Sequence, residues 1–444
     1  MKTLLSGGLL FDKSQGFSGE KKDILIENGI IKEIKSDIAL NEIEKIDCEI
    51  INLNNLYVFA GFIDIHTHFR YPGQTLKEDI KSGSFAALHG GYTTCVAMPN
   101  TDPPIENEEH FKDINILSSY IDIVPASCIT EKRDGKKLVD FEKNVKAGFS
   151  IFTDDGSEVK DSELLFEALK LSKKFNFIVM EHCISNDFFK GGVINYGKVS
   201  KQLKIKGIPD IAETLIAFRD IELARLADSK IHLTHLSTKK AVDLALEAKK
   251  EGVDISFDVT PHHLLLNEDN CITKDPIFKV SPPLRSVENQ NALKEYFIDG
   301  KIEIIATDHA PHLEKEKHLD ISLAPFGITG LETTFLLLYN EFVLTKKMKL
   351  DQLISSLTIN PAKRFNFNNK GRLAKNYIAD ITIFDPNYQQ KITASFFHSK
   401  AKFSPYMNKN VKGKIVKVFK NGKLVYKSSD KEDEFFTKPL YFMG

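Results

Sequence analysis

The pattern of apolar and polar positions divides the chain into two β-rich ends and a longer, alternating middle. At both ends, short aliphatic and β-branched runs flank an Asn-Gly pair, Asn28-Gly29 near the start and Asn421-Gly422 near the end. Asn-Gly between such runs is the strongest short signal for a β-hairpin, because a type I′ turn needs positive φ at both central residues. We therefore predict a small β-sandwich domain built from both termini.

In the middle of the chain, short apolar runs alternate with segments of helical periodicity, the pattern of repeated βα units around a parallel sheet. Three of these helical segments span Asp161–Lys174, Ile211–Ala227 and Lys239–Lys250. Eight units predict a TIM-type (β/α)8 barrel, whose active site lies at the carboxyl ends of the strands. The predicted strands are Val58–Ile65, Tyr92–Met98, Ile121–Ala126, Phe149–Thr153, Phe177–Glu181, Ile231–Thr234, Ile255–Val259 and Ile302–Thr307.

The predicted fold class is therefore α/β, with three segments along the chain. Residues 1–55 form the amino-terminal part of the small β-domain, and residues 365–444 form its carboxyl-terminal part. Residues 56–364 form the barrel. The candidate chemistry is expected in this central segment.

Charge and composition restrict the partners. The chain has 60 basic and 61 acidic residues and a formal net charge of -1, whereas a nucleic-acid surface needs a surplus of Lys and Arg for the phosphates. The five cysteines are scattered and odd in number, which is typical of reduced thiols. No apolar run is long enough to span a bilayer. We expect a soluble, cytoplasmic protein with a small-molecule substrate and no nucleic-acid or membrane partner.

Two histidines stand at the end of the first predicted strand. His66 and His68 lie two residues apart, so alternation along the strand places both imidazoles on one face, where they can reach one metal ion. By itself an H-x-H pair is only moderately specific, because histidines at a strand end are often ordinary polar residues. The pair predicts a metal site only if other strands supply further ligands.

The other strand ends do supply them. Asp154-Asp155 follows strand four, His182 follows strand five, His235 follows strand six and Asp308 follows strand eight. Four histidines and two carboxylates thus converge at one barrel mouth, which is a zinc-type set of ligands. Asp155 is suited to bridge two metal ions. Asp308 is suited to ligate a metal and to exchange a proton with its bound water.

For three other histidines, a structural role is an alternative to a role in the site. His232 precedes His235 by three residues on a strand and therefore faces the opposite side, so we interpret it as a packing or hydrogen-bonding residue. For the pair His262-His263, a structural role and a contact to the site from strand seven remain equally open.

Taken together, the motifs resemble the class I dihydroorotases, in the cyclic amidohydrolase branch of the amidohydrolase superfamily. The resemblance extends over nearly the whole chain and is specific. The matching stretches are Gly61–Gly73, Ala97–Thr101, Thr153–Gly156, Thr260–Leu264, Ala306–His312, Ala324–Glu332 and Asn360–Ala362.

The resemblance implies one or two zinc ions per subunit, with Asp155 as the bridge and Asp308 also as the catalytic proton carrier. Asp154 remains the alternative bridge, one residue away. Related hydantoinases use a carboxylated lysine as the bridge, but the nearest lysine here is Lys160. The implied metal ligands are His66, His68, Asp155, His182, His235 and Asp308.

The resemblance also implies a substrate. Arg70 continues the alternation of His66 and His68, so its guanidinium can grip a carboxylate in bidentate fashion. In dihydroorotases the matching arginine holds the ring carboxylate, together with residues like Asn100 and His312. The loop with Pro325 and Gly327 would contact the ring amides through backbone groups. The implied reaction is reversible hydrolysis of L-dihydroorotate to N-carbamoyl-L-aspartate in de novo pyrimidine biosynthesis.

Several positions depart from the family pattern. Tyr71 and Asp258 stand where glutamate is usual, Ile184-Ser185 where Glu-Asp is usual, and Ser281 where asparagine is usual. Ser-Pro-Pro also occurs in the hydantoinase and allantoinase branches, so another cyclic amidase, of hydantoinase, dihydropyrimidinase or allantoinase type, is the alternative. A non-catalytic dihydroorotase-like subunit of aspartate transcarbamoylase is a further one. The family also implies a homo-oligomer and possible association with aspartate transcarbamoylase.

Overall fold

The computed structural model describes residues 2–38, 48–110, 114, 120–429 and 432–436. Its strands belong to a sheet made from both termini and to a set of parallel strands in the middle of the chain. In chain order they are β1 (Lys2–Asp12), β2 (Phe17–Glu27), β3 (Ile30–Lys35), β4 (Cys48–Asn52), β5 (Tyr57–Ala60), β6 (Phe62–Thr67), β7 (Tyr92–Ala97), β8 (Asp122–Pro125), β9 (Ile151–Phe152), β10 (Ile178–His182), β11 (Ile194–Asn195), β12 (Gly207–Ile208), β13 (Ile231–Thr234), β14 (Ile255–Val259), β15 (Ile304–Ile305), β16 (Ile381–Lys391), β17 (Asn410–Lys420), β18 (Lys423–Lys427) and β19 (Glu434–Phe435).

The helices lie mainly between the central strands. Two predicted helices, Ile211–Ala227 and Lys239–Lys250, are confirmed with the predicted bounds. None of the helices in the described part of the chain combines the length and the hydropathy needed to cross a bilayer. The α-helices are Ile80–His89, Phe141–Lys146, Ser162–Phe175, Asn186–Phe189, Lys198–Leu203, Ile211–Ala227, Lys239–Lys250, Pro261–Leu265, Val287–Ile298, Glu314–Lys317, Thr334–Leu338, Leu350–Leu357 and Ile359–Arg364.

Side-chain caps explain where two of these helices begin. The Asp161 carboxylate accepts from the amides of Glu163 and Leu164, and the helix then runs from Ser162 to Phe175. The Thr238 hydroxyl accepts from the Ala241 amide at 3.2 Å. Such caps satisfy amides that have no partner inside the helix.

The terminal sheet has nine strands in the order β19-β18-β17-β16-β5-β1-β2-β3, with β4 beside β1. Both predicted hairpins are confirmed: Asn28 and Gly29 have φ of 50° and 82°, and Asn421 and Gly422 have φ of 50° and 70°. Its buried core combines residues from both termini, including Leu5, Leu10, Ile24, Val58, Ile381 and Phe419.

The central strands pair in parallel. One set has the order β6-β7-β8, and the other has the order β9-β10-β13-β14-β15. A bridge between Ser127 and Phe152 links the first set to β9, and a bridge between Thr67 and His309 links β6 to the segment after β15. Because all these pairings are parallel, the carboxyl ends of the eight strands lie on one side.

The predicted strand Val58–Ile65 was wrong, because this segment is two strands in two different sheets. β5 pairs with β1 and β16 in the terminal sheet, whereas β6 pairs with β7. They separate at Gly61, whose amide donates to the Asp380 carbonyl at 2.8 Å. A Cβ at Gly61 would lie 2.3 Å from the Thr93 hydroxyl. Only glycine fits where the chain passes between the two sheets.

Candidate metal centre

The carboxylate of Asp155 lies at the centre of the predicted ligands. Its Oδ1 is 3.1 Å from His66 Nε2, 3.7 Å from His182 Nδ1 and 3.9 Å from His235 Nε2. Its Oδ2 is 3.6 Å from His68 Nε2. The structure therefore brings all four predicted histidines around one carboxylate.

Asp308 is the second carboxylate of the cluster. Its Oδ1 is 3.1 Å from His68 Nε2 and 3.6 Å from His66 Nε2. Two groups of three ligand atoms, from His66, His68 and Asp308 and from His66, Asp155 and His235, each lie within 4.8 Å of one another. All six predicted ligands are buried and lie together at the carboxyl ends of the strands.

Asp154, the alternative bridge, points elsewhere. Its carboxylate accepts from the amides of Ile129 and Thr130, at 2.9 and 3.1 Å, and from the Thr130 hydroxyl. The side chain of Arg133 donates to the backbone carbonyls of both Asp154 and Asp155. Asp154 thus anchors the turn that carries Asp155, and only Asp155 faces the imidazoles.

The donor set fits a divalent cation. Imidazole and carboxylate groups are the ligands that zinc binds in proteins. In the described part of the chain, the buried His66 Nε2 forms no hydrogen bond, although Asp155 Oδ1 lies 3.1 Å away. The ion pairs of Asp155 and Asp308 there are with histidines, not with a lysine or an arginine. A bound cation would satisfy both carboxylates and His66 Nε2.

Burial and mutual charge set the protonation states. Burial disfavours a charge on His66, but the Asp155 and Asp308 carboxylates outweigh burial and raise the pKa of His66 to about 9. Burial, followed by the neighbouring charge of His235, lowers the pKa of His182 to about 3. Although burial opposes it, the imidazoles hold the pKa of Asp155 and of Asp308 below the ordinary range. Both carboxylates are therefore anionic at neutral pH.

A layer of hydrogen bonds beneath the ligands orients two of them. Thr234 Oγ1 donates to Asp258 Oδ2 at 3.1 Å, so it accepts the proton of His66 Nδ1 at 2.7 Å. The Asp258 carboxylate also accepts from the His235 amide at 3.0 Å and pairs with His232 Nε2 at 2.8 Å. His66 therefore turns Nε2 toward the carboxylates. In the sequence, Asp258 is noticeable only because it stands where the family usually has glutamate. Its position on the strand next to that of His235 is the one sequence signal of this role.

Asn100, a predicted substrate residue, lies between two ligands. Its Oδ1 accepts from His68 Nδ1 at 2.9 Å, and its Nδ2 donates to Asp155 Oδ2 at 3.0 Å. The bond to Nδ1 leaves Nε2 of His68 to face Asp308. Asn100 thus orients a ligand as well as lining the site.

Arg70 and His312 form a cationic corner beside this cluster. Arg70 Nε donates to the Pro311 carbonyl at 3.2 Å, and its Nη2 lies 3.3 Å from His312 Nε2. His312 Nε2 donates to the Phe326 carbonyl at 2.7 Å, so its proton is on Nε2, and Lys77 approaches Nδ1 at 3.4 Å. Burial, followed by the charges of Arg70 and Lys77, lowers the pKa of His312 to about 2.

Arg70 itself is an unpaired buried charge. It is 8% exposed, and no carboxylate forms an ion pair with it among the residues that the structure describes. Burial lowers the pKa of Arg70 to about 10, so the guanidinium stays charged at neutral pH. An uncompensated buried charge is costly, and the corner is therefore suited to an anionic ligand.

The remaining predicted residues lie near this corner. The carbonyls of Pro325 and Gly327 accept from Lys317 Nζ, at 3.1 and 2.9 Å. Of the ambiguous pair, His263 is structural, since its two nitrogens pair with the Thr260 hydroxyl and the Pro282 carbonyl. His262 is buried, and its Nε2 has no partner in the described part of the chain. Burial lowers the pKa of His262 to about 4, and Asp308 and His235 are the nearby charges that influence this pKa. His262 thus borders the site.

Comparisons with known proteins give the relatives of this chain. The model of the Amidohydrolase family matches residues 57–425. The dihydroorotase of Bacillus cytotoxicus is 40% identical over 407 residues, which cover 91% of this chain and 94% of that protein. The dihydroorotase of Staphylococcus aureus is 40% identical over 429 residues, which cover 96% of this chain and 99% of that protein.

Solved structures provide a comparison of the fold. The crystal structure of dihydropyrimidinase from Brevibacillus agri has a TM-score of 0.82 at 23% identity, covering 96% of this chain and 95% of that chain. L-hydantoinase from Arthrobacter aurescens has a TM-score of 0.84 at 23% identity, covering 95% of both chains. At this identity the likeness shows the fold alone.

Proposed function

The chain belongs to the amidohydrolase family as a hydrolase of cyclic amides, and we propose that it is a dihydroorotase of de novo pyrimidine biosynthesis. It would reversibly hydrolyse L-dihydroorotate to N-carbamoyl-L-aspartate. The proposal is supported by the dihydroorotases that are 40% identical over most of the chain.

The observation that carries the proposal is the unpaired charge of Arg70. Dihydroorotate has a ring carboxylate, whereas hydantoin, dihydrouracil and allantoin lack one. The Arg70 guanidinium, 3.3 Å from His312 Nε2, can hold a carboxylate in bidentate fashion. Ser281 favours the neutral-ring branches. A neutral ring, however, has no carboxylate that could pair with the buried Arg70 guanidinium.

We propose one or two zinc ions per subunit, with Asp155 as the bridge. When bound, zinc supplies a Lewis acid for the ring carbonyl and lowers the pKa of a bound water to about 7. The presence of every ligand also argues against the non-catalytic alternative. The ions would be held by His66, His68, Asp155, His182, His235 and Asp308.

The residues of the chain carry the proton and hold the substrate. Asp308 would accept the proton of the attacking water as oxygen bonds to the ring carbonyl carbon, and would donate it to the ring nitrogen as the carbon–nitrogen bond breaks. Arg70 and Asn100 would donate to the ring carboxylate, and His312 would contact it beside Arg70. Backbone groups of Pro325 and Gly327 would contact the ring amides.

We infer a closed (β/α)8 barrel from the central strands, supported by the bridges Thr67–His309 and Ser127–Phe152, which join the two sets at both ends. The terminal sheet would fold into a β-sandwich around its shared core. The proposed domains are residues 1–55 with 365–444 and residues 56–364. β5 is an exception, since it pairs within the terminal sheet.

We further propose a cytoplasmic homo-oligomer. Cys95, Cys128, Cys183 and Cys271 are buried free thiols, which fits a reducing compartment. The helix Ile211–Ala227 exposes several large apolar side chains, which favours an interface between subunits. Among them are Ile211, Leu215, Phe218 and Leu226, at 48, 45, 52 and 72% exposure. Association with aspartate transcarbamoylase stays a prediction from the family resemblance.

The test is turnover by the zinc-loaded protein of L-dihydroorotate and N-carbamoyl-L-aspartate, beside hydantoin, dihydrouracil and allantoin. We expect turnover of the first two, and a loss of kcat/KM of roughly 100-fold in Arg70→Ala, because a bidentate charged contact is removed. Lys146→Ala, at an exposed ion pair with Glu142 on the helix Phe141–Lys146, is the control.

The outcomes separate the alternatives. If a neutral ring opens while dihydroorotate is inert, the substrate assignment is wrong and the metal site stands. If none of the substrates reacts although the protein retains metal, the non-catalytic alternative is favoured.

A further inference from the structure

Lys317 is a buried lysine whose side-chain nitrogen is surrounded by backbone carbonyls. The residue is 4% exposed. Its Nζ donates to the carbonyls of Gly327 at 2.9 Å, Pro325 at 3.1 Å and Lys279 at 3.4 Å. No carboxylate forms an ion pair with Lys317 within the described ranges of the chain. Lysine is seldom buried without a charged partner, so these three carbonyls account for its position.

These carbonyls belong largely to one irregular segment, Ala324–Gly327, which we call the substrate loop. Three consecutive carbonyls of the loop are each held by a side chain: those of Pro325 and Gly327 by Lys317, and that of Phe326 by His312 Nε2 at 2.7 Å. The loop contains no helix or strand. Its conformation therefore depends on these side-chain bonds.

Lys279 holds the same loop from a second side. Its carbonyl accepts from the Gly327 amide at 3.0 Å and from Lys317 Nζ. Its own Nζ donates to the Ser322 carbonyl at 3.3 Å and lies 4.5 Å from the ring centroid of Phe326. Gly327 has φ of 122°, a conformation open to glycine, so the chain bends where Lys317 contacts it.

The loop is connected to the cationic corner through His312. Because the Phe326 carbonyl accepts from His312 Nε2, the position of this carbonyl fixes the orientation of the imidazole. The same Nε2 lies 3.3 Å from Arg70 Nη2. A shift of the loop would therefore move the group that lies beside Arg70.

We propose that Lys317 is a positioning residue for substrate binding, which fixes the substrate loop and, through Phe326 and His312, the cationic corner. The inference rests on the proposed function. Lys317 touches neither the proposed metal ligands nor Arg70, so it acts on affinity for the substrate and not on the proton transfer by Asp308.

The test compares Lys317→Met, Lys317→Gln and Lys317→Arg with wild type. Methionine has a similar length but donates no hydrogen bond, and we expect KM for dihydroorotate to rise roughly tenfold with a much smaller change in kcat. Arginine should restore most of the lost affinity, and glutamine part of it. Lys315→Met, at an exposed residue of the same short helix, should leave KM unchanged.

A double-mutant cycle separates positioning from a general loss of stability. Once His312→Ala has removed the contact with Phe326, Lys317→Met should raise KM by clearly less than it does in wild type. Equal factors in the two backgrounds would contradict the connection through His312.

The outcomes distinguish this inference from the proposed function. If wild type does not turn over dihydroorotate, the proposed function and the inference both fail. If wild type is active and Lys317→Met has wild-type KM, only the inference fails. If the methionine variant does not fold, Lys317→Gln decides: a raised KM supports positioning, and an unchanged KM overturns it.

Discussion

Three residues of the site have left-handed backbone conformations although none is glycine. Arg70, His235 and Asp308 have φ of 57°, 39° and 47°. Each such residue costs about 1–3 kcal/mol and persists only where its surroundings fix it. For His235, the amide donates to Asp258 Oδ1 at 3.0 Å. The ligand geometry therefore depends on residues beneath the ligands, and Asp258 is the one that can be tested most directly.

We expect Asp258→Asn to weaken metal binding by about 10- to 100-fold, because the residues that orient metal ligands typically contribute that much. An amide has one acceptor oxygen, whereas the Asp258 carboxylate serves His232, Thr234 and the His235 amide. The measurement is zinc content after dialysis against graded concentrations of chelator.

Ser256→Ala is the matched control for Asp258→Asn. It removes only the bond of Ser256 to His232 Nδ1, at 2.7 Å, and leaves the Asp258 bonds intact. It should retain zinc like wild type. Equal retention by Asp258→Asn and wild type would show that this carboxylate does not orient the ligands.

Asp308→Asn tests the proton carrier. Asparagine keeps the shape and an oxygen ligand but cannot accept the proton, so kcat should fall by about 10² to 10⁴, the usual contribution of a general acid–base group. The measurement is kcat per bound zinc in both reaction directions. A variant with full metal and a kcat within threefold of wild type would assign the proton transfer to another group.

The sequence predicts the residues of the site better than their supports. The ligands could be found because alternation and strand ends place His66, His68 and His235 without knowledge of the neighbours. Thr234 and Asp258 could not, because their roles depend on which strands pair and in which register. The choice of Asp155 over Asp154 likewise depends on the amides of the neighbouring loop, which take up the Asp154 carboxylate.

At the scale of elements, Glu332 joins three segments that are remote in sequence. Its carboxylate accepts from His89 Nδ1 at 3.0 Å, from the His398 amide at 2.7 Å and from the Ser399 amide at 3.3 Å. Burial would raise the pKa of Glu332, but the hydrogen bond and charge of His89 outweigh burial and lower this pKa below its ordinary value of 4.5. The ionised carboxylate thus ties the end of the helix Ile80–His89 to the segment before β17.

We expect Glu332→Gln to lower the free energy of unfolding by about 2 kcal/mol at pH 7, because hydrogen bonds to a buried charge are lost. A lowered pKa means that the ionised form stabilises the fold above pH 4.5 and that this stabilisation is lost as pH falls through the folded-state pKa. The difference in Tm between wild type and variant should therefore be constant from pH 7 to 5 and shrink toward pH 4.

A difference in Tm that does not change with pH would contradict this account of Glu332, because it would mean that the effect comes from packing alone. Ser399→Ala is a useful companion variant. It keeps the backbone amide that donates to Glu332 and removes the hydroxyl, which donates to Glu78 and accepts from the Ala401 amide. Its effect on Tm should not follow the ionisation of Glu332.

The helices and hairpins could be predicted from local signals, whereas the strand bounds could not. Lys239–Lys250 has the predicted bounds because helical periodicity and the Thr238 cap are local signals. The eighth strand shrinks to Ile304–Ile305, and Val58–Ile65 divides at Gly61, because strand pairing is decided by distant partners. The contact of Gly61 with Thr93 is one that no local pattern reveals.

At the scale of the whole molecule, a buried ionic network joins the terminal sheet to the central strands. Lys420, at the end of β17, has a fully buried side chain, and its Nζ lies 2.8 Å from Asp380 Oδ2 and 2.8 Å from Asp122 Oδ2. Asp122 is the first residue of β8. Lys370 Nζ pairs with the same two carboxylates, at 2.6 Å from Asp122 Oδ2 and 2.8 Å from Asp380 Oδ2. The charges of Lys420 and Lys370 outweigh burial and lower the pKa of Asp380.

We expect Lys420→Met to lower the free energy of unfolding by about 3 kcal/mol or more, because removing one partner leaves the buried Asp380 carboxylate short of positive charge. Since Asp122 is at the amino end of β8 and the proposed ligands are at the carboxyl ends of the strands, kcat and KM at 25 °C should stay close to those of wild type. The measurements are Tm and steady-state kinetics.

Lys427→Met, at the exposed pair with Glu434, is the control and should leave Tm nearly unchanged. A variant with normal Tm would mean that Lys370 alone holds the two parts together, and one with a large loss of kcat below its Tm would mean that the terminal sheet shapes the metal centre.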